Sequence, residues 1–97
     1  MKYLEKENLN ELVKEGIHLV DFYAEWCGPC KMLHPVLEKV ESKIDVIKVD
    51  IDKFENLAMQ YRVMSVPTLV FFKDGKPVDG VVGFRSEDEL LDIINKL

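Results

Sequence analysis

The feature that most constrains the fold of this chain is the alternation of short, β-rich apolar runs with segments of helical periodicity. Two runs, residues 17–23 and 46–51, are dense in β-branched and apolar residues, as strands covered on both faces are. A third run, residues 66–72, is followed by an Asp-Gly turn signal within residues 73–76 and by a return run at 77–82. Strand–helix–strand units require right-handed crossovers and produce a parallel core, to which the final hairpin adds an antiparallel edge.

Helices are predicted where apolar residues recur at helical spacing after a capping signal. The signal is an Asx or Ser residue with Glu three positions later, because each side chain can then satisfy a free backbone N–H of the other. The pairs are Asn8 with Glu11, Asp52 with Glu55, and Ser86 with Glu89. A further helix is expected after the two cysteines, with apolar positions at Leu33, Val36, Leu37, Val40 and Ile44.

These elements give the order (β)αβαβαββα, in which Tyr3-Leu4 is a short edge strand and the first helix ends at Gly16, a left-handed terminator. The predicted fold class is α/β, with a single mixed sheet of four or five strands flanked by four helices. A chain of 97 residues has room for one small domain, so we predict a single domain over residues 1–97.

Charge and hydropathy exclude several classes of partner. The 13 basic and 18 acidic residues give a net charge of -5, which argues against nucleic acid or an anionic membrane surface as the main partner. The first residues have no apolar region of the kind that signal peptides carry, and the longest purely apolar run is residues 69–72. We therefore expect neither a signal peptide nor a membrane span.

The motif that can carry chemistry is Cys27-Gly28-Pro29-Cys30, between a predicted strand and a predicted helix. A cysteine at a helix N-terminus has its thiolate stabilised by the free N–H groups and the helix dipole. Cys30, one turn further on, is near enough to form a disulfide and is expected to be more shielded. Dithiol exchange needs this combination of an attacking and a resolving thiol. Gly28 permits the tight turn, and Pro29 presets φ at the helix start.

The cysteine pair has three other interpretations. A structural staple is disfavoured because so small a loop constrains little of the unfolded chain. A zinc half-site needs further ligands, for which only His18 and His34 remain, and incidental thiols do not need the Gly-Pro spacer. Both of these remain as minor alternatives. Because the zinc ligands are too few and no glycine-rich phosphate loop is present, we expect no metal and no cofactor.

Two residues near the motif are unusual on physical grounds. Asp21 interrupts an otherwise apolar strand, and burial there would raise the pKa of its carboxyl group. We interpret Asp21 as a proton acceptor for Cys30, and an Asp bonded at a strand end is the alternative. Trp26, the single tryptophan, adjoins the reactive turn, where an exposed indole would make a flat docking surface unless it packs into the core.

Residues 20–31, VDFYAEWCGPCK, are similar to the signature of the thioredoxin family, and Pro35, residues 66–68, Gly75 and Gly83 match it further. The chain resembles that family over essentially its full length. The resemblance implies a thioredoxin fold and a protein-disulfide reductant in the cytoplasm. Its Cys27 would attack the substrate and its Cys30 would resolve the mixed disulfide. It also implies disulfide-containing protein substrates, a separate thioredoxin reductase, and a monomer.

The resemblance further implies roles for residues outside the cysteine motif. Pro67 would follow a cis bond and face the cysteines, Asp21 would be buried, and Lys48 would lie near it. Substrate peptide would lie on a shallow apolar patch and bond backbone groups at Val66 in a strand-like manner. The patch would comprise Trp26, Gly28, Pro29, Val66, Pro67 and Gly83.

The chain departs from the commonest pattern of the family at three places. Tyr23 stands where tryptophan is frequent, His34 stands where a small residue is frequent, and the N-terminal arm is short. We expect His34 to be a solvated helix residue and His18 a surface strand residue. Two other functions remain as alternatives: an oxidase or isomerase in an oxidising compartment, and a non-catalytic module that docks a partner through the Trp26 patch.

Overall fold

Strand β2 (Ile17–Tyr23) forms the centre of a mixed sheet in the computed structural model, which describes residues 1–97. The other strands are β1 (Lys2–Tyr3), β3 (Asp45–Asp50), β4 (Thr68–Lys73) and β5 (Lys76–Val82). The helices are α1 (Leu9–Leu12), α2 (Gly28–Val40), α3 (Glu55–Gln60) and α4 (Glu87–Ile94). The predicted fold class and element order are confirmed.

The five-stranded sheet has the order β1-β3-β2-β4-β5. β1, β3 and β2 pair in parallel, whereas β4 is antiparallel to both β2 and β5. In the β2–β3 register, Asp21 lies opposite Lys48. This pairing brings two charged residues, far apart in sequence, together inside the sheet.

The side chains of β2 alternate between two separate hydrophobic clusters because successive strand residues point to opposite faces. Val20 and Phe22 pack with residues of α1 and the α3 region, such as Leu9 and Leu57. Leu19 packs on the opposite face with α2 and α4 residues. Both faces of β2 are therefore covered, which is the physical reason that its sequence is an almost continuous apolar run.

Helix caps are where the sequence predictions are partly wrong. Ser86 and Glu89 form the predicted reciprocal pair, with N···O distances of 3.2 and 3.0 Å, and these bonds hold the pKa of Glu89 below its usual value. The Asn8 side chain makes no cap bond, and α3 is preceded by Phe54 and not by Asp52. Asp52 is engaged elsewhere, as described below. Helix α2 ends at Val40, so Ile44 lies beyond it.

The Asp-Gly turn between β4 and β5 is confirmed. Asp74 and Gly75 both have positive φ, 50° and 86°, as the tight turn of a two-residue hairpin requires. The Asp74 carboxylate also accepts a hydrogen bond from the N–H of Gly16 at 2.8 Å, which joins the hairpin to the loop between α1 and β2. Helix α1 ends at Leu12, so the prediction that it ends at Gly16 is wrong. None of the four helices combines the length and the apolar character needed to cross a membrane.

Arg62 occupies a backbone conformation that favours glycine. It follows α3 with a φ of 56°, while the next N–H, of Val63, donates to the carbonyl of Ala58 at 2.8 Å. The left-handed conformation costs a residue with a Cβ about 1–2 kcal/mol, although glycine loses part of that advantage through its larger unfolded-state entropy. Arg62→Gly is expected to raise the free energy of unfolding by ~0.5–1 kcal/mol in urea titrations.

Gly16→Ala is the matched control for Arg62→Gly. Gly16 has a φ of 79°, and an added Cβ would meet no atom within 4 Å, so the substitution probes the backbone preference without a steric clash. We expect this variant to lose stability by a comparable amount. Equal or lower stability of Arg62→Gly relative to the parent chain would contradict the strain assigned to Arg62.

Candidate active site

The Cys27–Cys30 pair lies at the N-terminus of α2 and forms a disulfide. Cys27 is the N-cap residue, in extended conformation, and this directs its Sγ toward the free N–H groups of the first helical turn. The N–H of Cys30 donates to that Sγ with an N···S distance of 3.2 Å. Pro29 lies in the first turn, where its missing N–H leaves no hydrogen bond unmade. The sequence thus correctly predicted the helix start and the pairing distance.

The two cysteines differ less in exposure than the sequence suggested. Cys27 is 4% and Cys30 is 2% exposed, so overall shielding does not separate an outer thiol from an inner one. Their surroundings do separate them. The Sγ of Cys27 accepts a hydrogen bond from the N–H of Cys30 and lies 3.7 Å from the carbonyl oxygen of Val66. The asymmetry between the thiols is therefore one of hydrogen bonding and position, and not of exposed area.

Apolar and backbone groups surround Cys27. The peptide bond between Val66 and Pro67 is cis, as the resemblance implied, and the N–H of Gly83 donates to the Pro67 carbonyl at 2.8 Å. Trp26 is 68% exposed, which removes the core interpretation of its indole. The structure thus brings Val66 to Cys27 and Gly83 to Pro67, while a docking role for this surface stays a prediction.

Asp52 is a residue whose role the sequence did not reveal. Its Oδ2 accepts a hydrogen bond from the indole Nε1 of Trp26 at 3.0 Å. The capping signal at Asp52 and Glu55 had suggested a local role, but the carboxylate instead holds an exposed aromatic ring beside the active site. No sequence pattern links residues 26 and 52, because the contact depends on how α2 and the loop after β3 meet.

Asp21 is fully buried, at 0% exposure, and neither carboxyl oxygen has a hydrogen-bond partner. The nearest charge is Lys48, whose Nζ lies 3.6 Å from Oδ2. Burial raises the pKa of Asp21 from its ordinary value of 3.8 to about 6, and the positive charge of Lys48 opposes part of this rise. The predicted burial, raised pKa and proximity of Lys48 are all present, so the carboxyl group is suited to exchange a proton near neutral pH.

Lys48 is itself buried and is surrounded by aromatic and polar groups. Its Nζ lies 4.5 Å from the ring centroid of Tyr23, 5.6 Å from that of Tyr3, and 3.2 Å from Nδ1 of His34. A lysine on a strand can also point into solvent, but Lys48 does not, since it is 4% exposed. His34 is half-buried against Lys48, so the expectation of a solvated helix residue is wrong. Burial, followed by the negative charge of Asp50, raises the pKa of Tyr23 to about 12.

The histidines and cysteines do not form a metal-binding group. His18 lies within 2.8 Å of an Asp45 carboxylate oxygen and 2.7 Å of the Glu15 carbonyl oxygen, away from the α2 terminus. No group of three or more His, Cys, Asp or Glu side chains is arranged to hold a metal ion. Because Cys27 and Cys30 are bonded to each other, neither offers a thiolate ligand in this state.

Comparison with known proteins gives a consistent result. The sequence profile of the family described as Thioredoxin matches residues 1–96. A thioredoxin of Staphylococcus aureus is 51% identical over 88 residues, which cover 87% of this chain and 85% of that protein. A thioredoxin of Staphylococcus haemolyticus is 47% identical over 93 residues, covering 92% of this chain and 89% of that protein.

Solved structures show the same similarity in three dimensions. A mutant thioredoxin from Halobacterium salinarum superposes with a TM-score of 0.90 at 42% identity, covering 98% of this chain and 88% of that one. A thioredoxin from Nicotiana alata gives a TM-score of 0.88 at 35% identity, covering 98% and 90%. With its sequence, sheet order and helix-capping cysteine pair in agreement, the chain belongs to the thioredoxin family and is a thiol-disulfide oxidoreductase whose redox-active pair is Cys27 and Cys30.

Proposed function

We propose that the reduced chain donates two electrons to disulfides of other proteins, with Cys27 as nucleophile and Cys30 as resolving thiol. The Cys27 thiolate attacks one substrate sulfur, the substrate S–S bond breaks, and the other substrate sulfur leaves as a thiolate that takes up a proton. Cys30 then attacks the Cys27 sulfur and releases the second substrate thiol. The product is the Cys27–Cys30 disulfide, so the substrate has been reduced and the chain oxidised.

The observation that carries these roles is the position of Cys27 at the N-cap of α2. Its sulfur accepts the Cys30 N–H, and a thiolate there is stabilised by the same N–H groups and by the helix dipole. Cys30 lies within the helix, where its own N–H already serves the partner sulfur. The attacking role is therefore assigned to Cys27, and the later, intramolecular step to Cys30.

Asp21 is proposed as the base that accepts the Cys30 proton. Lys48 is proposed as the residue whose positive charge limits the rise in the pKa of Asp21. A base is most effective when its pKa lies near the working pH, and the pKa of Asp21, about 6, meets this condition. Its oxygens have no hydrogen-bond partner that would compete for a proton. Proton transfer from Cys30 to Asp21 leaves a neutral acid in a buried position, which burial favours.

Substrate peptide is proposed to dock on the patch of Trp26, Gly28, Pro29, Val66, Pro67 and Gly83. The carbonyl of Val66 lies beside the Cys27 sulfur and is a backbone acceptor for an extended peptide, whose side chains would then contact the exposed indole. Pairing of this kind recognises the peptide backbone, and it therefore suits a reductant that must accept many protein disulfides.

The oxidised pair must be reduced again after each cycle, and we propose a separate thioredoxin reductase for this step. A chain that superposes with a TM-score of 0.90 at 30% identity belongs to a solved structure described as the basis of the thiol-resolving mechanism in yeast mitochondrial 1-Cys peroxiredoxin via glutathione/thioredoxin systems. That description supports protein thiols as partners of this fold. We further propose that the chain acts as a monomer and in the cytoplasm, where the prevailing redox conditions keep thiols reduced.

Insulin reduction tests the proposed function. The full chain, kept reduced by dithiothreitol, is expected to precipitate the insulin B chain much faster than dithiothreitol alone, and Cys27→Ser is expected to abolish the acceleration. His18→Ala, which removes an imidazole away from the α2 terminus, serves as the folded control and should retain the rate. A parent chain that does not reduce insulin but reactivates scrambled ribonuclease would favour the isomerase alternative, and failure in both assays would favour the docking module.

A further inference from the structure

A pocket of about 290 Å³ opens beside Cys30, and neither Cys27 nor Val66 lines it. Its polar lining includes Tyr3, Tyr23, Glu25, Lys31, His34 and Lys48. Asp21 lies directly behind this lining, because its Oδ2 is 3.6 Å from the Lys48 Nζ. The pocket thus adjoins the resolving thiol and the proposed base, and Lys48 stands between that base and solvent.

The ammonium of Lys48 has two polar neighbours. One is Nδ1 of His34 at 3.2 Å, and the other is Oδ2 of Asp21 at 3.6 Å, which is beyond hydrogen-bond distance. An ammonium group can only donate, so Nδ1 of His34 is the acceptor of this hydrogen bond. His34, and not Asp21, therefore receives the hydrogen bond of the buried cation.

We propose that His34 is a positioning residue for the resolving step: its Nδ1 holds the Lys48 ammonium toward the pocket and so weakens the ion pair between Lys48 and Asp21. The inference rests on the proposed role of Asp21 as a proton acceptor. A carboxylate that formed a close hydrogen bond with Lys48 would be a weaker base. By accepting that hydrogen bond itself, His34 leaves Asp21 able to take up the Cys30 proton at neutral pH.

The other charged or titratable groups around this arrangement come from several elements. They are Tyr3 on β1, Tyr23 on β2, Glu25 in the loop between β2 and α2, Cys30 and Lys31 on α2, and Asp50 on β3. The rings of Tyr3 and Tyr23 flank the ammonium but provide only their π faces. His34 is consequently the neighbour whose hydrogen bond fixes the position of the Lys48 ammonium, and its removal should let the ammonium move closer to the carboxylate.

Titration of the Asp21 carboxyl carbon by NMR in the oxidised full-length chain tests the proposal, because no thiol titrates in that state. His34→Ala is expected to lower the titration midpoint of Asp21 by ~0.5–1 pH unit, since the opposite charge would then approach more closely. His34→Asn is the conservative variant, whose amide oxygen can replace Nδ1 as acceptor, and it should keep the parent midpoint. His18→Ala is the control for loss of a histidine outside the pocket and should also leave the midpoint unchanged.

A double-mutant cycle separates action through Lys48 from a direct effect of the ring. In a Lys48→Met background, His34→Ala should no longer shift the Asp21 midpoint, because the group that His34 positions is absent. An unchanged or raised Asp21 midpoint in His34→Ala would overturn the proposal. An equal downward shift of that midpoint when His34→Ala is made in the Lys48→Met background would also overturn it. The single-turnover rate of mixed-disulfide resolution should show a pH midpoint lowered by the same amount.

The two readouts also distinguish this proposal from the one on which it rests. The NMR midpoint reports the Lys48–Asp21 interaction whether or not Asp21 accepts a proton during turnover. If the midpoint shifts as expected while Asp21→Asn resolves mixed disulfides at the parent rate, His34 positions Lys48 but Asp21 is not the base. If Asp21→Asn resolves slowly while the midpoint does not move, the proposed function holds and the role of His34 is overturned.

Discussion

Cys30→Ser is expected to stop multiple turnover and to leave substrates covalently attached to Cys27. The Cys27 thiolate still attacks a substrate disulfide, since the N-cap position and the backbone N–H of residue 30 do not depend on the side chain that is replaced. The serine hydroxyl cannot displace the substrate sulfur at neutral pH, so the mixed disulfide persists. Turnover should fall by roughly 10³-fold or more, the scale on which loss of a reacting group costs other enzymes.

Non-reducing electrophoresis measures the trapped complexes directly. Cys30→Ser should give high-mass adducts that dithiothreitol removes, whereas Cys27→Ser should give none. Met32→Ala is a suitable control because Met32 is an exposed residue of the same helix, outside the cysteine pair. Adducts formed by Cys27→Ser in place of Cys30→Ser would show that the two roles are reversed.

Asp21→Asn is expected to make the protein more stable at neutral and alkaline pH. Because the folded pKa of about 6 exceeds the ordinary 3.8, the folded chain binds the Asp21 proton more tightly than the unfolded chain does. The stability that this proton provides is fully present below pH 3.8 and is lost as pH rises through about 6. Above that window the parent carries a buried carboxylate without a hydrogen bond, and asparagine carries no charge.

The stability difference should therefore be small at about pH 4 and should reach ~1–3 kcal/mol above pH 7, since a shift of about two pKa units corresponds to that range. Urea titrations of both proteins across pH measure it. Asp79→Asn is the control, because this exposed carboxylate accepts a hydrogen bond from the adjacent Gly80 N–H that an asparagine oxygen can also accept. A variant less stable than the parent at every pH would contradict the buried, charged state of Asp21.

The same substitution is expected to slow resolution of the mixed disulfide near neutral pH. Asparagine cannot accept the Cys30 proton, and loss of a general base commonly costs about 10²-fold or more. Single-turnover reduction, with the attack and resolution steps measured separately, should show that only the second step changes. Resolution at the parent rate would show that Asp21 is not the base and is only a buried acid opposite Lys48.

Much of the fold was predictable because its signals are local. Strand β2 was predicted at its observed bounds because burial on both faces leaves an apolar run that only Asp21 breaks near its centre. The Asp74-Gly75 turn was predictable because few residues other than glycine, Asn and Asp tolerate its positive φ values. The pairing of Cys27 with Cys30 was predictable from their spacing and from the start of the following helix.

The sequence predictions are wrong where a side chain that could make a local hydrogen bond makes one with a distant residue instead. Asp52 stands three residues before Glu55, as a helix cap would. Its carboxylate instead accepts a hydrogen bond from the Trp26 indole, and α3 begins after Phe54 without a side-chain cap. A cap bond is worth about 1 kcal/mol, so a tertiary hydrogen bond of similar strength can replace it. The sequence contains both possibilities and does not determine which one forms.

The sequence alone determined three features: the cysteine chemistry, the β-rich runs and the unusual place of Asp21 in one of them. Each depends only on residues that are close together in sequence. The setting of Asp21 was decided by tertiary structure. The β2–β3 register places Lys48 opposite Asp21, and the packing of α2 on that face brings His34 to the same ammonium. These contacts join segments distant in sequence, and their energies depend on distances of a few ångströms that only the packed sheet and helices establish.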